Sequence, residues 1–202
     1  KGHFPSDVYR GHKADIYEGG HRVPFIVRWP GKVKAGSKSD QVICQTDLFA
    51  TVAAILDKPY PENAAEDSVS ILPALLGKDR RPLREATVHH SINGSFSIRQ
   101  GRWKLALCPG SGGWSAPRPG RTDFSGQPAV QLFDLHSDIG ETKNLAEQHP
   151  AVVTKLSALL QSYADRGRST PGPQQANTGA VDIWKAGKAS FAAKPPGPKK
   201  SK

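Results

Sequence analysis

Methionine is absent from all 202 residues, and the first residue is Lys1, which no translated reading frame begins with. The expectation is therefore that these residues start inside a longer protein. Long apolar runs are missing too. None approaches the roughly 18 to 20 residues that a bilayer-spanning helix needs, which excludes such a span in this chain. No charged-then-apolar leader precedes the first motif, and a leader further upstream stays open. Cysteine is limited to Cys44 and Cys108, 64 positions apart, without CxxC or His-rich spacing. That pattern gives no support for zinc. Each cysteine lies in an apolar run (VIC, LALC), which predicts buried free thiols rather than a disulfide.

Acidic residues are scarce at one end only. Residues 166–202 carry 8 Lys/Arg against 1 Asp/Glu, whereas 1–165 carry 20 against 17, so the formal charge of +10 divides into +7 and +3. The basicity belongs mostly to a tail. Residues 167–202, rich in Pro, Gly, Ala and Lys and ending PPGPKKSK, read as disordered. A solvated tail is one reading. A polyanion or surface tether, joined by Arg80, Arg81 and Arg84, is the other.

What remains is enough to fold, since 37% of the residues are hydrophobic, while 20 Gly and 17 Pro promise many loops. VPFIVRW (23–29), closed by Pro30-Gly31, reads as a strand and its turn. Thr46 or Asp47 can cap a helix whose Leu48, Phe49, Val52, Ile55 and Leu56 fall at helical spacing before Pro59. A short helix is expected over 70–76. From 86 to 135 the pattern changes to ATVHHS, SFSIR, RWKLALC and VQLFDL, the second and third joined by Gln100-Gly101, which predicts a small antiparallel sheet. Residues 150–163 then place Val152, Val153, Leu156, Leu159, Leu160 and Tyr163 on one face of a helix that begins at Pro150 and can cover that sheet.

The densest cluster of chemically distinctive residues is GHKADIYEGGHRVPFIVRWPG (11–31). Gly11 and the Gly19-Gly20 pair free the backbone for close approach, and His12, Lys13, His21, Arg22 and Arg28 concentrate positive charge beside Glu18. A cationic, glycine-bracketed loop before a strand suits an anion; an ordinary basic surface loop has the same composition.

The run G-x-K-x-x-x-Y-E-G-G-x-R-V-P-F-I-V-x-W-P-G strongly resembles a segment of the formylglycine-dependent sulfatases, members of the alkaline phosphatase superfamily. Four further landmarks follow in the family's order: TDLFAT, DSVSILPALLG, IRQGRWKLAL and LFDLHSDIGETKNLA. Together they span about residues 11–146. Ala50, Val69 and Ile139 depart from the family's pattern at scaffold positions. The resemblance implies an α/β fold: residues 1–83 as the incomplete C-terminal end of an alkaline-phosphatase-like α/β catalytic domain, and 84–166 as a four-stranded antiparallel sheet with a packed helix. It also implies a sulfuric ester hydrolase of arylsulfatase type, in which a formylglycine hydrate attacks sulfur and calcium, a hard cation, holds sulfate oxygens.

Lys13 stands where the family's motif lysine contacts the sulfate, a role in which its ammonium would offset charge on the sulfate oxygens. Glu18, Gly19, Gly20 and Arg22 match the motif and read as structural, with Glu18 able to pair with Arg22 at i, i+4 or to satisfy backbone donors. The formylglycine motif and the calcium ligands have no counterpart in these residues and are expected before Lys1, so this chain by itself is expected to hydrolyse nothing.

Two features offer a pocket wall for substrate. The loop CPGSGGWSAPRPG (108–120) carries Trp114, which can stack on a sugar or fold onto its own loop. His89 and His90 lie on one strand and must point to opposite faces, so one at most can face a cleft; buried or surface roles are the alternative for each. Asn93-Gly94-Ser95 fits a glycosylation pattern, but in a hairpin turn these residues more simply supply turn chemistry. The resemblance implies a sulfated small molecule or polysaccharide as partner, with no nucleic acid favoured, and a periplasmic or secreted location. A phosphate or phosphonate ester hydrolase of the same superfamily, and a basic polyanion-binding module, are the alternative functions.

Overall fold

Period-two alternation between residues 87 and 134 builds the central sheet. The computed structural model describes residues 2–3, 5–79 and 81–185, and in it four strands, β1 (Thr87–His90), β2 (Phe96–Gln100), β3 (Trp103–Ala106) and β4 (Gln131–Asp134), pair antiparallel in chain order. The register aligns Val88, Ile98, Leu105 and Leu132 as one cross-strand row. Gly101, at φ 56, is the first residue of the two-residue loop between β2 and β3, a position that glycine serves without strain.

The apolar row faces the long helix, Pro150–Arg166. Pro150 occupies its first turn, where a missing N–H costs nothing, and Gly167 ends it in the left-handed region at φ 63. Leu156, Leu160 and Tyr163 pack on Ile98, Leu105 and Leu132 to form the larger core. Full burial of each leucine contributes about 1.5–3 kcal/mol. The helix extends three residues beyond the expected 150–163.

Ile183 is 1% exposed and joins this same core, and Arg168 and Thr170 are buried as well. Within the expected disordered tail, Arg168, Thr170, Ile183 and Lys185 are thus buried, while 171–182 are almost wholly exposed. Composition does not disclose these contacts, which rest on one isoleucine and on hydrogen bonds from Arg168 to Glu62 O and from Thr170 to Glu66 O. Residues 186–202 of that expectation lie outside the described residues.

The opposite face of the sheet carries Ala106, Cys108 and Phe133, and covers Ile16 and Tyr17 of the glycine-bracketed segment. That segment ends in one helical turn, α1 (Glu18–His21), where an open turn into a strand was expected. The strand expected over 23–29 is absent: these residues are unpaired and Ile26 is 91% exposed. A strand needs a hydrogen-bonding neighbour, and the described residues supply none there.

Two more helices, α2 (Asp47–Leu56) and α3 (Leu72–Leu75), match the expected positions, and the long helix is therefore α4. Capping of α2 differs from expectation. Thr46 makes no side-chain cap; instead Asp47 accepts the Cys44 and Val69 N–H groups, and Ser68 Oγ accepts the Ala50 N–H at 2.9 Å. Both cysteines are free, Cys108 buried and Cys44 partly so, and burial pushes the Cys108 thiol up to about 11.

Candidate functional site: the Lys13 turn and its supports

Residues 10–20 fold back on themselves through backbone bonds. The Asp15 N–H donates to His12 O at 3.0 Å and the Gly19 N–H donates to Arg10 O at 2.8 Å, so Lys13 sits at the tip of a tight turn with its side chain exposed. The motif glycines are sterically required. A Cβ on Gly19 would lie 2.4 Å from Gly11 O, and one on Gly20 would lie 2.1 Å from Asp15 O. Those distances leave no room for any side chain.

Behind the turn lies a buried ionic cluster. Glu18, 2% exposed, meets Lys104 Nζ at 3.0 Å, Arg99 at 3.3 Å, His21 at 3.3 Å and Arg22 at 3.5 Å. Lys104 is fully buried and also meets Glu141 at 2.8 Å, while Glu141 Oε2 accepts the Glu18 N–H at 2.6 Å. Arg10 lies over the Tyr17 ring at 3.9 Å and donates to Glu141 O at 2.7 Å. The i, i+4 pair between Glu18 and Arg22 exists, as one of several contacts.

This surrounding sets the charges. Burial raises the Glu18 carboxyl, but the His21 hydrogen bond and the Lys104 ammonium outweigh it and hold Glu18 far below the usual carboxylate range. Glu141 goes the other way, because its burial outweighs the pull of Lys104. His21 and His89 stack with ring centroids 4.0 Å apart, and burial, aided at His89 by nearby positive charge, favours neutral rings in both. His90 points to the other face, exposed, against Phe96 at 4.1 Å. Strand alternation thus separates the two histidines: His89 joins the cluster behind the turn and His90 does not.

The Trp114 loop reaches the same turn from the other side. Trp114 is 43% exposed, whereas Ser111, Gly112 and Gly113 are buried. Asp15, two residues after Lys13, accepts the Trp114 N–H at 2.7 Å and the Ser115 N–H at 3.0 Å, and Ser111 O accepts the Ile16 N–H at 2.8 Å. So Lys13, Trp114 and the motif glycines belong to one neighbourhood, with Glu18, Arg22 and His89 beneath it. Asp15, Arg99, Lys104 and Glu141 are members that the sequence reading missed. Alternation gave no signal for Lys104: in WKLAL, Trp103, Leu105 and Leu107 take the face of the apolar row, and Lys104 falls on the opposite face, where a lysine ordinarily meets solvent. Arg84, counted above with a basic surface patch, is instead an internal partner of Asp47 at 3.2 Å.

Among the described residues no group of three or more His, Cys, Asp or Glu side chains is arranged to hold a metal ion. The described residues therefore do not form a calcium site. No helix among them is long and apolar enough to cross a membrane.

The fold and this site define a class. A family model described as N-sulphoglucosamine sulphohydrolase, C-terminal, matches residues 11–108, and the chain belongs to the sulfatase family. Among its relatives is an N-acetylgalactosamine-6-O-sulfatase of Bacteroides thetaiotaomicron, 42% identical over 168 residues that cover 82% of this chain and 32% of the relative. Human arylsulfatase A is 29% identical over 86% of this chain and 37% of its own length. A solved structure described under the metabolism of multiple glycosaminoglycans by Bacteroides thetaiotaomicron superposes with a TM-score of 0.68 at 42% identity, covering 80% of this chain and 33% of that one. The fold alone is also shared with the carrageenan-oligosaccharide complex of Ps i-CgsB, at a TM-score of 0.60 and 21% identity, over 85% of this chain and 34% of that chain. The chain spans about a third of the length of these relatives.

Proposed function

We propose that this chain is the C-terminal portion of a carbohydrate sulfatase that hydrolyses a sulfate monoester, and that Lys13 is its contact to the sulfate. The observation that carries the reading is the exposed Lys13 on a turn whose glycines admit no side chain, within a motif run shared in order with sulfatases. An ammonium at that tip offsets negative charge on sulfate oxygens as the ester bond breaks. Lysine acts there as a compact point charge, with three donors for oxygens in any orientation.

The formylglycine nucleophile and calcium that the resemblance implies belong, in this reading, to residues upstream of the chain. A sugar is the favoured leaving group, because the 42% identical relative is named for 6-O-sulfated N-acetylgalactosamine and because Trp114 offers an exposed ring beside the turn. Glu18, Gly19, Gly20 and Arg22 shape the turn, and His89 lies beneath it; His90, on the far face, is the weaker candidate for a substrate contact. A periplasmic or secreted setting follows from the family resemblance.

Sulfate release tests this. The polypeptide carrying this chain and its upstream residues should liberate sulfate from N-acetylgalactosamine 6-sulfate at least tenfold faster than it liberates phosphate from the corresponding phosphate ester. A preference of that size for the phosphate ester would replace the reading by phosphoester hydrolysis, and release from neither would reject it.

A further inference from the structure

Asp15 is 1% exposed, and its carboxylate receives donors from two separate segments. Oδ1 accepts the backbone N–H groups of Trp114 at 2.7 Å and Ser115 at 3.0 Å. Oδ2 accepts the His12 N–H at 2.9 Å and the Ser115 hydroxyl. Burial alone would raise this carboxyl, yet the Ser115 hydroxyl and the three backbone donors hold it below its usual value, so it stays ionised. Charge-assisted bonds of this kind are about twice as strong as neutral ones. Contact is closest at Gly113, where a Cβ would lie 2.4 Å from Ala14 O and 2.5 Å from Asp15 Oδ1.

The hairpin turn after β1 closes the junction. The Ile92 N–H donates to Ala14 O at 2.9 Å and the Asn93 N–H to Gly112 O at 3.4 Å. Within the loop, the Ser111 hydroxyl donates to Ser115 O at 2.7 Å and accepts the Gly113 N–H at 3.1 Å. Trp114 is thereby an exposed ring on a fully tied backbone, anchored to a carboxylate two residues from Lys13.

We propose that Asp15 is a positioning residue that fixes the Trp114 ring relative to Lys13, so that sulfate contact and sugar platform act as one subsite and select carbohydrate over aryl sulfates. This rests on the reading proposed above. Asp15 touches no substrate in this scheme; it acts through Trp114. Asparagine at position 15 keeps the volume but offers one neutral oxygen in place of the carboxylate, so the Trp114 and Ser115 N–H groups lose their charge-assisted acceptor.

The test is a double-mutant cycle in the polypeptide carrying this chain and its upstream residues, with N-acetylgalactosamine 6-sulfate and 4-nitrophenyl sulfate as probes. Asp15→Asn should raise KM for the sugar sulfate at least tenfold with kcat within threefold, and should change kcat/KM for the aryl sulfate less than threefold. In a Trp114→Ala background the same substitution should add less than twofold, because coupled residues are not additive. A Trp114→Phe background, which keeps a ring, should restore most of the effect. Ser115→Ala, which removes only the hydroxyl contact, should give a smaller rise of the same kind and guards against misfolding of Asp15→Asn. Additive effects, or equal losses on both probes, would overturn the proposal. If the unsubstituted polypeptide turns over neither probe, the sulfatase reading fails by itself; the cycle is then run on calorimetric affinity for the sugar sulfate, where additivity or absence of binding overturns the Asp15 assignment.

Discussion

Lys104 has its whole side chain out of water between Glu18 and Glu141, so its removal leaves two carboxylates buried with Arg99 and Arg22 at the margin. Breaking a buried ion pair from one side costs about 3–5 kcal/mol. Lys104→Met should therefore lower unfolding free energy by that amount in a denaturant titration, whereas a loss below about 1 kcal/mol would show that water reaches the cluster. The neighbouring histidines make stability depend on pH. An unfolded histidine takes up a proton as pH falls through about 6.5, and buried His89 resists it. The unfolded state then holds more protons, so this contribution to stability is complete above pH 6.5 and declines as pH falls. Glu141, raised by burial, works in the opposite sense, so the informative comparison is between variants. His89→Gln should make the fall in stability between pH 6.5 and 5 shallower by up to about 1.4 kcal/mol per pH unit; parallel profiles would place the acid sensitivity elsewhere.

At the scale of elements, α4 and the sheet face it covers carry the larger core. Leu160→Ala should cost about 2–5 kcal/mol in a thermal or denaturant melt, because Leu160 is 2% exposed against Ile98, Leu105 and Leu132. These elements were legible in the sequence since each rests on a local period: two for VQLFDL and RWKLALC, near 3.6 for Val152 to Tyr163. The Lys13 turn was legible as a composition and a family motif, and its glycines as places of close approach. What the sequence did not disclose depends on residues far apart in the chain. Asp15 and Ser115 are 100 positions apart, and Glu18 and Glu141 are 123 apart, so no spacing rule brings them together. The expected strand at 23–29 fails for a related reason. Its residues have the right propensity, but a strand is defined by its partner. Ile183 shows the converse, a single apolar residue in a low-complexity stretch that tertiary contact holds in place.

For the whole molecule, the apolar residues left on the outside form a pattern. Phe25, Ile26, Leu48, Phe49, Val52, Ile55 and Leu56 are all at least 40% exposed, on the unpaired 23–29 segment and the outer face of α2. A surface of this kind is uncommon on a monomer. With the chain spanning about a third of its relatives' length, the proposed reading expects these residues by themselves to bind a hydrophobic dye and to release no sulfate. Sulfate release by the 202 residues alone would contradict it. In the proposed reading Lys13 contacts the sulfate, and Lys13→Ala in the polypeptide carrying this chain and its upstream residues, assayed by steady-state turnover of 4-nitrophenyl sulfate, tests that contact. Loss of a transition-state contact of this type costs about 2.7–4 kcal/mol, so kcat/KM should fall at least a hundredfold while the fold, followed by circular dichroism, stays unchanged; turnover within threefold of the unsubstituted polypeptide would contradict the assignment.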